Sequence, residues 1–402
     1  MDVREPTRSL PVGGREFPRQ ALRTWDTVAA TRQADELGDN RMVKARSAGH
    51  PYGPIRWLGV CALAVALAAC TSNSGESAAP SAASAPPPAE GFVQVRPSGD
   101  PAEPPTDIAY RDYGGEGSPI VLLTGLGDTA GVFDQLGPLL RDQGHRVVAL
   151  TRRGYGASSK SGTGYDLATR TQDDAAAISA LGLDRPVVVG HSIAGDELIG
   201  LATEYPERVA GVVSLDAMLD RSPGGEAAAA QKCGGAIIGS GPAPAVDPMD
   251  PYGSMQAFYE ELYGFPLGNG TANVRALWAL NGTDLDSTAD PEAVPRILAA
   301  ASKRPPAFSG MRVPVLAIFA LSTVDSAFPW LKDEDPSSRQ YQRATRCNER
   351  SVALRNASAE QLARQQPQAS IQKWDATNHY LYLQWPERTA TAIGEWIDSE
   401  VR

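Results

Sequence analysis

The sequence predicts an α/β protein built on a doubly wound, mostly parallel sheet with one large insertion. Two patterns carry that expectation. Short, largely apolar runs recur at 120–123, 147–150, 187–189, 212–215, 315–319 and 371–374, and helix-sized amphipathic or polar stretches separate them. A run with no polar position has no solvent face, as in a parallel strand covered by helices on both sides; a half-exposed strand would alternate. Such strands alternating with helix-length segments wind in both directions around one sheet.

In chain order, the first hundred residues read as processing signals and a tether. Residues 57–69 are uncharged and apolar, follow Lys44, Arg46 and Arg56, and end in Leu67, Ala68 and Ala69, with Cys70 directly after. A basic lead, a short apolar run and a small-residue end make a secretory signal; a membrane span takes about 20 residues. A cysteine directly after Leu-Ala-Ala resembles the lipobox of bacterial lipoproteins, which implies that cleavage leaves Cys70 as a lipidated N-terminus. Secretory leaders begin close to their apolar run. Translation is therefore expected to start near Met42, with 1–41 a non-native extension and 42–69 the signal peptide. Residues 70–104, rich in Ser, Ala and Pro without an apolar period, are expected to be a disordered tether. The protein is then expected in the bacterial cell envelope, exported and held to a membrane by its N-terminal lipid.

The chain carries 37 Lys and Arg against 47 Asp and Glu, a net charge of −10. The leader takes away more base than acid, so the exported part is more acidic still, which argues against a nucleic-acid partner. Of the four cysteines, Cys61 leaves with the signal and Cys70 takes lipid. Cys233 and Cys347 remain, and an exported pair is expected to form a disulfide. With four histidines and no C-x-x-C spacing, no metal cluster and no cofactor is expected.

The folded part divides into a core at 105–216 and 311–402 and a cap at 217–310. Strand spacing reads as regular except for the roughly hundred residues between the runs ending at 215 and beginning at 315, a length well beyond ordinary connections. That insertion holds a Gly/Pro-rich loop and the aromatics Phe258, Tyr259, Tyr263, Phe265 and Trp278. A cap is expected over the C-terminal ends of the strands, where open α/β sheets bind ligands. Its aromatics either line a pocket or fill the cap's own core. The last helix begins at Pro386 and presents Ala390, Ile393, Trp396 and Ile397 at helical spacing.

The chemistry is carried by residues 187–195, Val-Val-Val-Gly-His-Ser-Ile-Ala-Gly, which run from a buried strand straight into a helix. A turn this tight strains Ser192 and requires small neighbours, which Gly190 and Ala194 supply. The segment resembles the nucleophile elbow G-x-S-x-G of α/β-hydrolases, with Ala194 in place of the last glycine. A serine hydroxyl needs an adjacent base. His50 lies in the leader, His145 opens a strand at its far end, and His191 is expected to point away from Ser192. His379 remains, in the loop after the last strand, where the family carries its catalytic histidine.

A carboxylate must orient that imidazole. Asp325, after the later strand, has the commoner family location but lacks the usual tight turn. Asp216 stands at a strand tip, similar to where haloalkane dehalogenases with an alternative acid carry it, and is preferred; the choice stays open. The resemblance puts the oxyanion donors on the backbone N–H groups of Ile193 and of Leu126, in Thr124-Gly125-Leu126-Gly127-Asp128, which looks like the family's His-Gly-x-Gly loop. Residues 151–158, Thr-Arg-Arg-Gly-Tyr-Gly-Ala-Ser, resemble a further structural turn of these enzymes. The implied activity is hydrolysis of a small-molecule carboxylic ester, or a related acyl bond, through an acyl-enzyme. An amidase, a perhydrolase or a lyase would use the same residues, and a silent hydrolase-like chain would serve as an envelope-tethered binding protein.

Overall fold

Ile120 and Leu122 point to one side of a central strand and Val121 and Leu123 to the other, and all four are essentially without solvent contact. The strand is β3 (Pro119–Leu123). Its sheet also contains β1 (Ala89–Val95), β2 (Thr106–Gly114), β4 (Arg146–Leu150), β5 (Val187–His191), β6 (Gly211–Leu215), β9 (Val315–Leu321) and β10 (Ser370–Asp375). The computed structural model describes residues 88–401 apart from 97, 99–101, 103, 223–232, 234–240, 269, 283 and 304. The expected extension, signal peptide, Cys70 and most of the tether lie outside the described residues.

The strands lie in the order β1-β2-β4-β3-β5-β6-β9-β10. β1 pairs antiparallel with β2 and β2 with β4, and every other neighbouring pair is parallel. Both faces are covered, as strands without a polar side require. On one face lie α1 (Leu136–Asp142) and α9 (Pro386–Glu400), the latter through Ala390, Ile393, Trp396 and Ile397. On the other lie α2 (Leu167–Ala180), α3 (Gly195–Glu204) and α8 (Arg339–Gln365).

Two expectations need correction. The tether was expected to reach residue 104, yet Ala89–Val95 is a strand in register with β2. Val93 and Val95 are buried in the same cluster as Ile108, while Gln94 between them is exposed and Phe92 before them is 59% exposed. This period-two pattern is short, and the Ser/Ala/Pro tract in front of it masks it. The strand spacing is also irregular a second time, because the interval between β9 and β10 holds α8, 27 residues long. Its inward side is only a narrow stripe including Cys347, Leu354 and Leu362, so its polar sequence reads as linker rather than as a layer.

The expected cap interval contains α4 (Pro251–Tyr263), α5 (Thr271–Leu277), the hairpin β7 (Trp278–Asn281) and β8 (Asp284–Ser287), and α6 (Ala293–Ala301). Met255, Phe258, Leu262, Val274 and Leu285 form its own core, and Trp330 from beyond β9 packs against it. The short α7 (Val324–Ala327) and the turn Pro329–Leu331 therefore lie beside the cap, although the sequence assigned them to the core. Cys233 and Cys347 are bridged, joining the cap interval to α8 across a separation of 114 residues.

Candidate active site

Ser192 follows the last residue of β5 with φ +56°. This left-handed backbone costs a residue with a Cβ about 1–2 kcal/mol. It persists because the surroundings are fitted to it. A Cβ added at Gly190 would lie 3.1 Å from that of Ala194, and one at Gly195 would lie 2.1 Å from the carbonyl oxygen of Ala217. The alanine at 194 is therefore compatible with the turn because position 190 is glycine, and Gly195 lets α3 begin directly against the turn after β6.

That turn carries Asp216, also at positive φ and with no solvent exposure. His379, in the loop after β10, has Nδ1 2.6 Å from Asp216 Oδ2 and Nε2 2.9 Å from Ser192 Oγ. Three residues from three strand ends thus meet in one hydrogen-bonded line. Asp325 does not join them: it lies on α7 and accepts a hydrogen bond from the Tyr341 hydroxyl at 3.3 Å.

The Asp216 carboxylate has a further partner that sequence reasoning missed. From α8, Arg355 donates through Nε to Oδ1 at 2.9 Å and through Nη2 to Oδ2 at 2.6 Å, and the Ala320 amide donates to Oδ1 at 3.1 Å. Burial by itself raises the carboxyl pKa, but the Arg355 guanidinium and His379 outweigh it and hold Asp216 well below the usual carboxylate range. The acid is therefore permanently ionised at neutral pH.

The expected oxyanion loop is fixed from behind. Arg152 donates to the carbonyls of Gly125 at 3.1 Å and Thr124 at 2.9 Å, and to Glu197 of α3 at 2.7 Å. One guanidinium thus ties the loop after β3 to the helix that follows Ser192. Arg221 does the same on the other side, donating to the carbonyls of Ser192 at 2.9 Å and Ala217 at 3.1 Å. Leu126 and Ile193 are buried in one cluster with Tyr155, beneath Ala293 and Ile297 of α6.

The buried ring of His191 lies against His379. Its Nε2 donates to the His379 carbonyl at 3.1 Å and the two rings are 4.6 Å apart. Burial and the neighbouring His379 push its pKa well below the usual value, so it is neutral. The side chain thereby holds the backbone of the neighbouring imidazole rather than exchanging its proton.

A cavity of about 440 Å³ opens between this corner and the cap, with Leu126, Gly127 and Asp128 on one wall and Tyr380, next to His379, on another. The cap aromatics divide. Tyr259, Tyr263 and Trp278 line the cavity, whereas Phe258 is in the cap core and Phe265 stacks behind Tyr263. Among the described residues no group of three or more His, Cys, Asp or Glu could hold a metal ion, and no helix is long and apolar enough to cross a membrane.

A family model described as the α/β-hydrolase fold matches residues 118–232. Over 115 residues the chain is 37% identical to a non-heme chloroperoxidase of Streptomyces lividans, covering 28% of this chain and 42% of that protein. Over 114 residues it is 33% identical to a bifunctional esterase/perhydrolase of Acinetobacter calcoaceticus, covering 28% of this chain and 41% of that protein. The chain spans about two fifths of the length of the curated relatives it matches. The crystal structure of E-2-(acetamidomethylene)succinate hydrolase superposes with a TM-score of 0.55 and 21% identity, covering 77% of this chain and 100% of that one. The chain has the α/β-hydrolase fold. The family match carries Ser192 and Asp216 but stops before His379, which only the three-dimensional fold brings back to them.

Proposed function

We propose that this chain is a serine hydrolase that cleaves a carboxylic ester, or a related acyl bond, of a small molecule through an acyl-enzyme. One observation carries the reading: the His379 ring lies within hydrogen-bonding distance of Ser192 Oγ on one side and of Asp216 Oδ2 on the other. In the first step His379 Nε2 takes the proton of Ser192 Oγ as that oxygen attacks the carbonyl carbon. Asp216 accepts the Nδ1 proton in a hydrogen bond, which fixes the tautomer and stabilises the imidazolium. The amides of Leu126 and Ile193 hold the oxyanion, His379 returns its proton to the leaving oxygen, and water releases the acyl group by the reverse sequence.

Ser192→Ala is expected to lower p-nitrophenyl ester turnover by at least about a thousandfold and to abolish covalent labelling by a fluorophosphonate. Undiminished turnover in that variant sinks the reading. The name of the esterase/perhydrolase relative favours a second use of the same intermediate, in which hydrogen peroxide replaces water and a peracid leaves. Adding peroxide to the same assay separates the two outcomes.

We further infer, from residues 57–70 alone, that the protein is exported and lipid-anchored through Cys70. Cys70→Ser is expected to lose metabolic labelling by an alkyne fatty acid and to leave the membrane fraction. Persistence of both label and membrane association would exclude the anchor.

A further inference from the structure

Arg152 lies in the turn after β4 and Arg221 follows the turn after β6, yet the two make the same kind of contact. Arg152 Nη1 donates to the Gly125 carbonyl at 3.1 Å, and Arg221 Nη2 donates to the Ser192 carbonyl at 2.9 Å. The two carbonyls matter for what stands at the other end of their peptides. Gly125 C=O and Leu126 N–H belong to one peptide unit, and Ser192 C=O and Ile193 N–H to another. These are the two amides that the hydrolase reading assigns to the oxyanion. A trans peptide is planar, with its C=O and N–H pointing in opposite directions, so each guanidinium sits at the far end of one of those donors.

Neither amide is committed elsewhere. Leu126 N–H donates to no backbone oxygen among the described residues. Ile193 is the second residue of the helical turn Ser192–Ala194, where a helix start leaves its amides unpaired. A hydrogen bond accepted at the carbonyl end of a peptide polarises the unit and strengthens the donor at its other end by about 10–30%. A charged donor such as guanidinium makes the stronger bond.

Both guanidiniums are themselves held. Arg152 donates through Nε to Glu197 at 2.7 Å, and Arg221 donates to the Ala217 carbonyl at 3.1 Å and to Asp196 at 3.4 Å. Asp196 and Glu197 are adjacent in the first turn of α3, so the start of the helix that follows Ser192 anchors both cations. The Ser192 carbonyl also accepts from the Gly195 amide, and Arg221 adds the charged partner.

We propose that Arg152 and Arg221 are positioning residues of the oxyanion hole, each holding and polarising the peptide whose N–H receives the developing charge. The assignment rests on the hydrolase reading above and extends it from the amides that touch the oxygen to the cations behind them.

Arg221 is the residue to change: its side chain is 17% exposed, whereas loss of Arg152 would strand Glu197 at 1%. The probe is 1,1,1-trifluoro-2-octanone labelled with 13C at C2. Ser192 Oγ adds to that carbon, its proton passes to His379, and the hemiketal oxygen takes the place of the oxyanion. The 13C shift, followed against pH, reads where that oxygen ionises. In Arg221→Met it is expected to ionise at least about half a pH unit higher than in the native protein. For p-nitrophenyl hexanoate, kcat and kcat/KM are expected to fall together by about three- to tenfold with KM within about twofold, as for an interaction made only in the transition state. The loss is smaller than the roughly hundred- to thousandfold that follows removal of a whole oxyanion donor. Arg221→Gln keeps a donor without the charge. It is expected to move both readouts in the same direction and serves where the methionine variant does not fold. Asp196, Glu197, Arg170, Asp216, Arg355 and His379, the other titratable and charged groups around this corner, are retained in both variants.

A hemiketal that ionises at the native pH in the folded variants overturns the proposal, and so does a loss carried by KM alone. A native protein that forms no adduct and cleaves no ester refutes the hydrolase reading and this assignment with it. Adduct and cleavage with an unmoved ionisation refute this assignment alone.

Discussion

At the scale of single residues, Arg355 controls the state of the buried acid. The guanidinium makes a forked contact with Asp216 and lies 139 positions from it in sequence, so nothing local in the chain announces the pair. Arg355→Met would leave a buried carboxylate with one cationic partner fewer, a loss of roughly 3–5 kcal/mol for a buried pair. Because Asp216 titrates below the usual range in the native state, its contribution is complete above the unfolded carboxyl pKa of about 4 and fades as pH falls below that. Thermal melts of the two proteins are therefore expected to differ most at pH 7 and to converge toward pH 3. A gap of constant size across that range would contradict the ion-pair account. Ser192 and His379 were legible for the opposite reason. A serine in a tight strand-to-helix turn and a scarce residue type leave few arrangements to consider. Between Asp216 and Asp325 the sequence could only express a preference, because the deciding fact is which strand end abuts the imidazole loop.

At the scale of elements, α8 connects two parts of the molecule. It carries Arg355 at the site and Cys347 in the bridge to the cap interval. Closing a loop of more than a hundred residues removes unfolded-state freedom worth up to about 4.7 kcal/mol, and native bridges commonly contribute about 2–4. Cys233→Ala/Cys347→Ala is expected to lower unfolding stability by that amount in urea. An unchanged midpoint would show that the bridge constrains nothing the fold does not already hold. β3, β4, β5 and β9 were readable because burial on both faces leaves almost no polar position. β1 and α8 were not: one buries two valines of an otherwise exposed strand, the other a thin stripe of a polar helix. In both, tertiary packing supplies what the local pattern withholds.

At the scale of the whole molecule, the α/β architecture and its inserted segment were visible from strand spacing, while the accompaniment of the cap by residues after β9 was not. Trp330 packs with Met255 and Phe258, and no spacing rule predicts that a segment leaving the core will cover an insertion made a hundred residues earlier. The cavity walls accordingly have two origins: the loop after β3 and the residue after His379 on one side, and the aromatic cap on the other.

The bracket made by Arg152 separates those origins mechanically. By bonding the Thr124 and Gly125 carbonyls and Glu197 at once, it makes the corner around Ser192 a single stiff piece that does not depend on the identity of the residues opposite. Laboratory redesign can accordingly recut Tyr259, Tyr263 or Trp278 to admit bulkier guests while the reacting corner keeps its shape. The same separation leaves natural descendants free to trade one guest for another by drift in the lid alone.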